Sequence, residues 1–155
     1  MIKGDLTSFV SLIQETVETN FPAVKAFIYG HANKVIAASK SNTYPIIHLA
    51  RPMIETIGNG FGAPNTVFYA EITAITKVNL SGMQATHNSN ELEADNLALN
   101  MVLELETHLR DKAREFEFEF KLLSEFEPLI PGWIDQVVGW KMTCQITLGA
   151  NVQIG

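Results

Sequence analysis

Glu115, Glu117 and Glu119 alternate with Phe116, Phe118 and Phe120 in the run REFEFEFKLL, and close carboxylates are common material for general acid–base chemistry. That chemistry needs one carboxyl in a drier place than another, so that their pKa values separate. As a strand, the run puts its three glutamates on one face, solvated and mutually repulsive. The spacing therefore points to a wet face, with an electrostatic surface for a cationic partner as the other reading.

The other reactive residue types are no better arranged. His31, His48, His87 and His108 form no HxH, HxxxH or HExxH spacing, so a metal site is not expected. Cys144 is the single cysteine, which excludes an internal disulfide and suits a small buried apolar residue. The glycine-rich GNGFGAPN, from Gly58 to Asn65, lacks the Lys-Ser/Thr of a phosphate loop and opens no helix. Ser81 stands in a polar stretch without a neighbouring base, and aromatic residues are not interleaved with basic ones. The expectation is a protein without catalytic residues and without a cofactor.

The chain has 155 residues, enough for one domain over 1–155 with a single core. It is 46% hydrophobic and 18% charged, with a net charge of -6 that disfavours non-specific adhesion to nucleic acid. No segment reaches the ~18 uninterrupted apolar residues of a membrane span. The N-terminal MIKGDLTSFVSL is too short and too polar in its middle for a signal peptide, so a soluble protein made in cytoplasm is expected.

Periodicity assigns the elements. Leu6, Phe9, Val10, Ile13 and Val17 make one helical stripe over 6–19, with Asp5 as N-cap. VKAFIYG and YPIIHLARP read as strands, the second bracketed by Pro45 and Pro52, while ANKVIAASKS is either a short helix or a poor strand. MIETIGNGFGAPN reads as a long loop whose Met53, Ile54, Ile57 and Phe61 are unusually apolar for a mere connection. TVFYAEITAITKVNL is the longest strand signal. A second polar loop, containing Met83, leads to a helix capped by Asn90 with Glu93 three places on.

That helix turns Ala94, Ala98, Met101, Val102, Leu105 and Leu109 inward. Leu92, Leu99 and Leu103 widen its apolar arc beyond what one sheet face requires. The glutamate–phenylalanine run and the segment from Trp140 to Leu148 then complete the fold as two alternating strands. Strands with one wet face predict an α+β domain: a mostly antiparallel sheet, two main helices on one face and long loops on the other side.

A short first helix, the Tyr44-Pro45 strand, a long strand and an amphipathic helix come in that order before DQVVGWKMTCQITLG, where Asp135, Gly139 and Trp140 open the last strand. Over roughly positions 5 to 150 this order resembles the tail-terminator and tail-completion (neck) proteins of tailed bacteriophages. The resemblance implies a homo-oligomeric ring, usually a hexamer, that ends polymerisation of the tail-tube protein and offers the neck and connector proteins a surface. It also implies a virion protein assembled in the host bacterial cytoplasm, with no membrane partner and with DNA passing through the channel without specific binding. Ile54, Ile57, Phe61, Met83, Glu117 and Glu119 are then the candidate oligomer or tube contacts. The short tail GANVQIG departs from a pattern with a C-terminal arm, which leaves more of the contact to the loops. Rival readings are another head–tail connector, a small-ligand-binding enzyme subunit with a pocket between the second helix and the sheet, and a regulatory module dimerising through an edge strand.

Overall fold

The computed structural model describes residues 4–31, 34–35, 44–57, 65–78, 84–129 and 137–149, with the backbone alone over 84–88. In chain order the elements are α1 (Leu6–Asn20), β1 (Ala26–Tyr29), β2 (Ile46–Leu49), β3 (Met53–Ile57), β4 (Asn65–Lys77), α2 (Gln84–Phe116), β5 (Glu119–Leu122), β6 (Glu127–Pro128) and β7 (Val137–Gly149). The fold is α+β, with α1 and α2 on a largely antiparallel, open mixed sheet.

The sheet order is β1-β2-β4-β7-β5, and β1 with β2 is its parallel pair. β4 and β7 pair along their whole length, from Asn65 opposite Gly149 to Lys77 opposite Val137. Two shorter strands lie end to end on each flank of this central pair. β2 and β3 share one side of β4, broken at residues 50–52, and β5 and β6 share one side of β7.

The alternation expected of the two long strands is present. Phe68, Ala70, Ile72 and Ala74 from β4 face the helices together with Met142, Cys144, Ile146 and Leu148 from β7. Helix α1 contributes Phe9, Leu12, Ile13 and Val17, and the Phe9 ring stacks on Phe68 with centroids 4.4 Å apart. Its N-cap is Asp5, whose Oδ1 accepts from the Ser8 N–H at 2.7 Å. Helix α2 adds the buried stripe read from the sequence, Ala94 to Leu109. Two polar contacts pin it to the sheet: Thr76 Oγ1 donates to the Ala94 carbonyl at 2.6 Å, and Trp140 Nε1 donates to Asp95 Oδ1 at 2.7 Å. On the opposite sheet face lies a smaller cluster of Val35, Tyr44, Ile46 and Ile75.

Three sequence expectations are corrected. Residues 53–57 are not loop but strand β3, paired with β4 from Met53 opposite Tyr69 to Ile57 opposite Asn65. Asn90 is not the cap of α2, which starts at Gln84. No glycine or proline lies between residues 84 and 90, so nothing in the sequence stops the helix from extending upstream. The glutamate–phenylalanine run is not one strand either. Helix α2 continues through Phe116, Glu117 turns left-handed with φ 55, and β5 begins at Glu119.

The Phe118 N–H closes that helix end on the Ala113 carbonyl at 3.0 Å, the six-to-one bond of a Schellman motif. A helix already formed gains a bond for each added residue, and this outweighs the local strand pattern until the αL turn. At 33 residues α2 is about 50 Å long, and Ala94 is the first of its described side chains to be buried. Among the described residues no helix is long and apolar enough to cross a membrane.

Candidate assembly surface

The groups with chemical potential are dispersed. Glu115 ends a helix, Glu117 sits on the αL turn and Glu119 lies on β5, so the three carboxylates do not share one face. His48 is buried on β2, with Nε2 2.7 Å from the Gly30 carbonyl, a partner that fixes the ring as a donor through that nitrogen. The open groove beside it, about 520 Å³, is lined by Gly30, His31, Arg51, Glu71 and Thr73. The His108 and Phe21 rings pack perpendicular to one another with centroids 5.7 Å apart, which accounts for His108 by packing. Position 87 falls within α2 and not on a polar loop.

Cys144 is buried in the core, and burial, helped by the charge of Glu106, pushes its thiol up to about 12. It is protonated near neutral pH and unsuited to act as a nucleophile. Among the described residues no three His, Cys, Asp or Glu side chains converge as a metal-holding set. A depression of about 410 Å³ does lie between α2 and the sheet, beside Thr76, Lys77, Glu93 and Leu97.

The surface is more informative. Strand β3 is exposed at all five positions, with Met53 77%, Ile54 49% and Ile57 50% accessible. By contrast β2, on the same flank of β4, is buried throughout. Ile54 and Thr56 lie on the helix side of the sheet, as Phe68 opposite Ile54 shows, and Met53, Glu55 and Ile57 lie on the other. Glu55 Oε1 accepts from the Tyr69 hydroxyl at 2.9 Å, an interaction that raises the Tyr69 pKa.

The far edge of the sheet is β5. There a groove of about 650 Å³ carries Arg110, Arg114 and Lys121 around Phe120. Arg110 lies over the Phe120 ring at 5.0 Å and pairs with Glu106 at 3.0 Å. Along the outer side of α2, Leu92 is 70% accessible and Leu103 is also exposed, while Leu99 packs against the core.

Of the contacts expected from sequence, the structure puts Ile54 and Ile57 on the β3 edge and Glu119 on the β5 edge, with Glu117 at the turn before it. Phe61 and Met83 lie outside the described residues or side chains. Glu55 on β3 and Lys121 on β5 do not stand out in the sequence as candidate contacts. The alternation of MIETI between Pro52 and Gly58 was the signal for the first of them. No family model matches the chain, and no curated protein matches it at a significant level.

Proposed function

We propose that this protein is a structural subunit that assembles with copies of itself into a ring, in the manner of the phage tail terminators and neck proteins its order of elements resembles. The observation that carries this reading is the β3 edge: an apolar strand with one side paired and every side chain accessible. Such an edge is a template for another chain, and natural proteins that stay monomeric blunt or cover it. The exposed leucines of α2 add apolar surface of the kind that subunit contacts use.

The mechanism is geometric. One face of the ring matches the end of a tail tube, and the other presents a surface on which tube protein cannot add. The net charge of -6 suits a channel through which DNA passes without adhering.

Light scattering over a concentration series, alone and with isolated tail tubes, tests the proposal. The expected result is a ring in one of the two conditions. Ile54→Asp and Ile57→Asp should each abolish the ring while the circular dichroism spectrum is kept. A chain that stays monomeric at every concentration and never joins tubes sinks this reading.

A further inference from the structure

The β3 and β5 edges of the sheet are complementary to each other, and this rests on the reading of the chain as self-assembling. In an antiparallel ladder, residues that exchange hydrogen bonds with one neighbour alternate with residues whose amide and carbonyl point the other way. The Leu123 N–H donates to the Thr143 carbonyl at 2.9 Å, so residues 123, 121 and 119 bond toward β7. Phe120 and Leu122 therefore turn their backbone groups to the open edge.

On the other flank, the Ala50 N–H donates to the Glu71 carbonyl at 3.1 Å, which turns the odd-numbered residues of β4 toward β2 and β3. Their partners Met53, Glu55 and Ile57 bond inward, leaving Ile54 and Thr56 with outward backbone groups. Among the described residues no strand covers either edge.

Strand direction fits as well. β3 is antiparallel to β4, β4 to β7 and β7 to β5, so β3 and β5 run antiparallel to one another. Both lie at the same height of the sheet, since β4 and β7 connect Glu55 through Val67 and Thr147 to Glu119. A neighbour placed in the same orientation thus brings its β3 antiparallel to this β5.

We infer that copies of the chain join head to tail through this pairing, β3 of one copy adding to β5 of the next with Glu55 opposite Lys121. The outward pairs are then Ile54 with Leu122 and Thr56 with Phe120. Side-chain faces agree: Ile54, Leu122, Thr56 and Phe120 all lie on the helix side, Glu55 and Lys121 on the other.

Charge selects this register. The flush alternative, with no offset along the strands, sets Glu55 on Glu119, and like charges directly opposite repel. Moving by two residues keeps both faces and the hydrogen-bond alternation, and replaces Glu119 by Lys121. The offset is also the kind of stagger that a sheet requires to close on itself with tilted strands. Tyr69 holds one oxygen of Glu55 in place. Pairing either edge with its own copy leaves the other edge open, whereas this contact covers both and generates a ring or an open helix.

Disulfide trapping on the full chain tests the register, and native Cys144 does not compete because it is buried. Glu55→Cys mixed with Lys121→Cys should give a covalent mixed dimer on mild oxidation, and the double variant E55C/K121C a ladder of covalent oligomers. Glu55→Cys alone, and Glu55→Cys mixed with Glu119→Cys, should not crosslink. Separately, Glu55→Lys and Lys121→Glu should each weaken assembly roughly tenfold, and their combination should restore it.

Crosslinking of Glu55→Cys to itself overturns the inference in favour of a two-fold contact. Oligomers that form without any 55–121 disulfide overturn the pairing but leave the self-assembly reading intact. A chain that remains monomeric at every concentration and with tail tubes overturns both.

Discussion

Replacing Gly139 by alanine is the sharpest test of how tightly the central strands are held. Gly139 stands on β7 opposite Ile75 of β4, and its carbonyl accepts from the Leu129 N–H at 2.7 Å. A Cβ at this position would lie 2.7 Å from the Ala74 carbonyl oxygen, with Leu129 Cδ2 and Cβ at 3.3 and 3.4 Å. The leucine can rotate, but the carbonyl belongs to a central strand and cannot. The strands must separate by a few tenths of an ångström, and overpacking of this kind costs about 1–3 kcal/mol. Alanine restricts the unfolded chain more than glycine does, which returns about 0.4–1 kcal/mol. The net expectation is a loss of about 1–2 kcal/mol, or a fall in Tm of roughly 2–8 °C for a chain of this size. Thermal and urea unfolding followed by circular dichroism measure it, with an unchanged urea slope showing that the native fold persists. A variant as stable as the parent, or more so, refutes the reasoning, because the backbone contact would then be absent.

Two further outcomes follow from single residues. Glu117→Gly should stabilise the protein by about 1 kcal/mol in urea unfolding, because a non-glycine residue at φ 55 carries an αL penalty that glycine lacks. Cys144 should resist thiol reagents until the protein unfolds. With its folded pKa at about 12 against an ordinary 9.0, the fold favours the protonated thiol, so its contribution is complete below pH 9.0 and is lost as pH rises toward about 12. Cys144→Ala should flatten that alkaline decline in stability relative to the parent, as read by unfolding at several pH values.

The long elements were legible because each has enough residues for its period to speak. The inward positions Phe68 to Ala74 of β4, the alternation from Trp140 to Leu148 in β7 and the stripe from Ala94 to Leu109 each span enough residues to fix the period. The failures fall where two periods or two signals compete. EFEFEF is a strand pattern, but Phe116 still rides on the helix, with Lys112 5.3 Å above its ring, while Phe118 and Phe120 fold back onto the core. No glycine marks the junction, so the stop at Glu117 is invisible to sequence rules. Met53 to Ile57 read as loop because Pro52 precedes them and glycines follow, although Ile54 and Ile57 stand out as contacts. Their pairing with β4 is a long-range fact that local propensity does not carry.

The break at residues 50–52 separates two halves of one flank that answer to different demands. Ile46 to Leu49 are constrained on every side by packing, whereas Met53 to Ile57 touch little but a single neighbouring strand. Substitutions beyond the break can therefore accumulate with little penalty to the subunit, and a lineage can rewrite its choice of neighbour without rebuilding the domain that presents it.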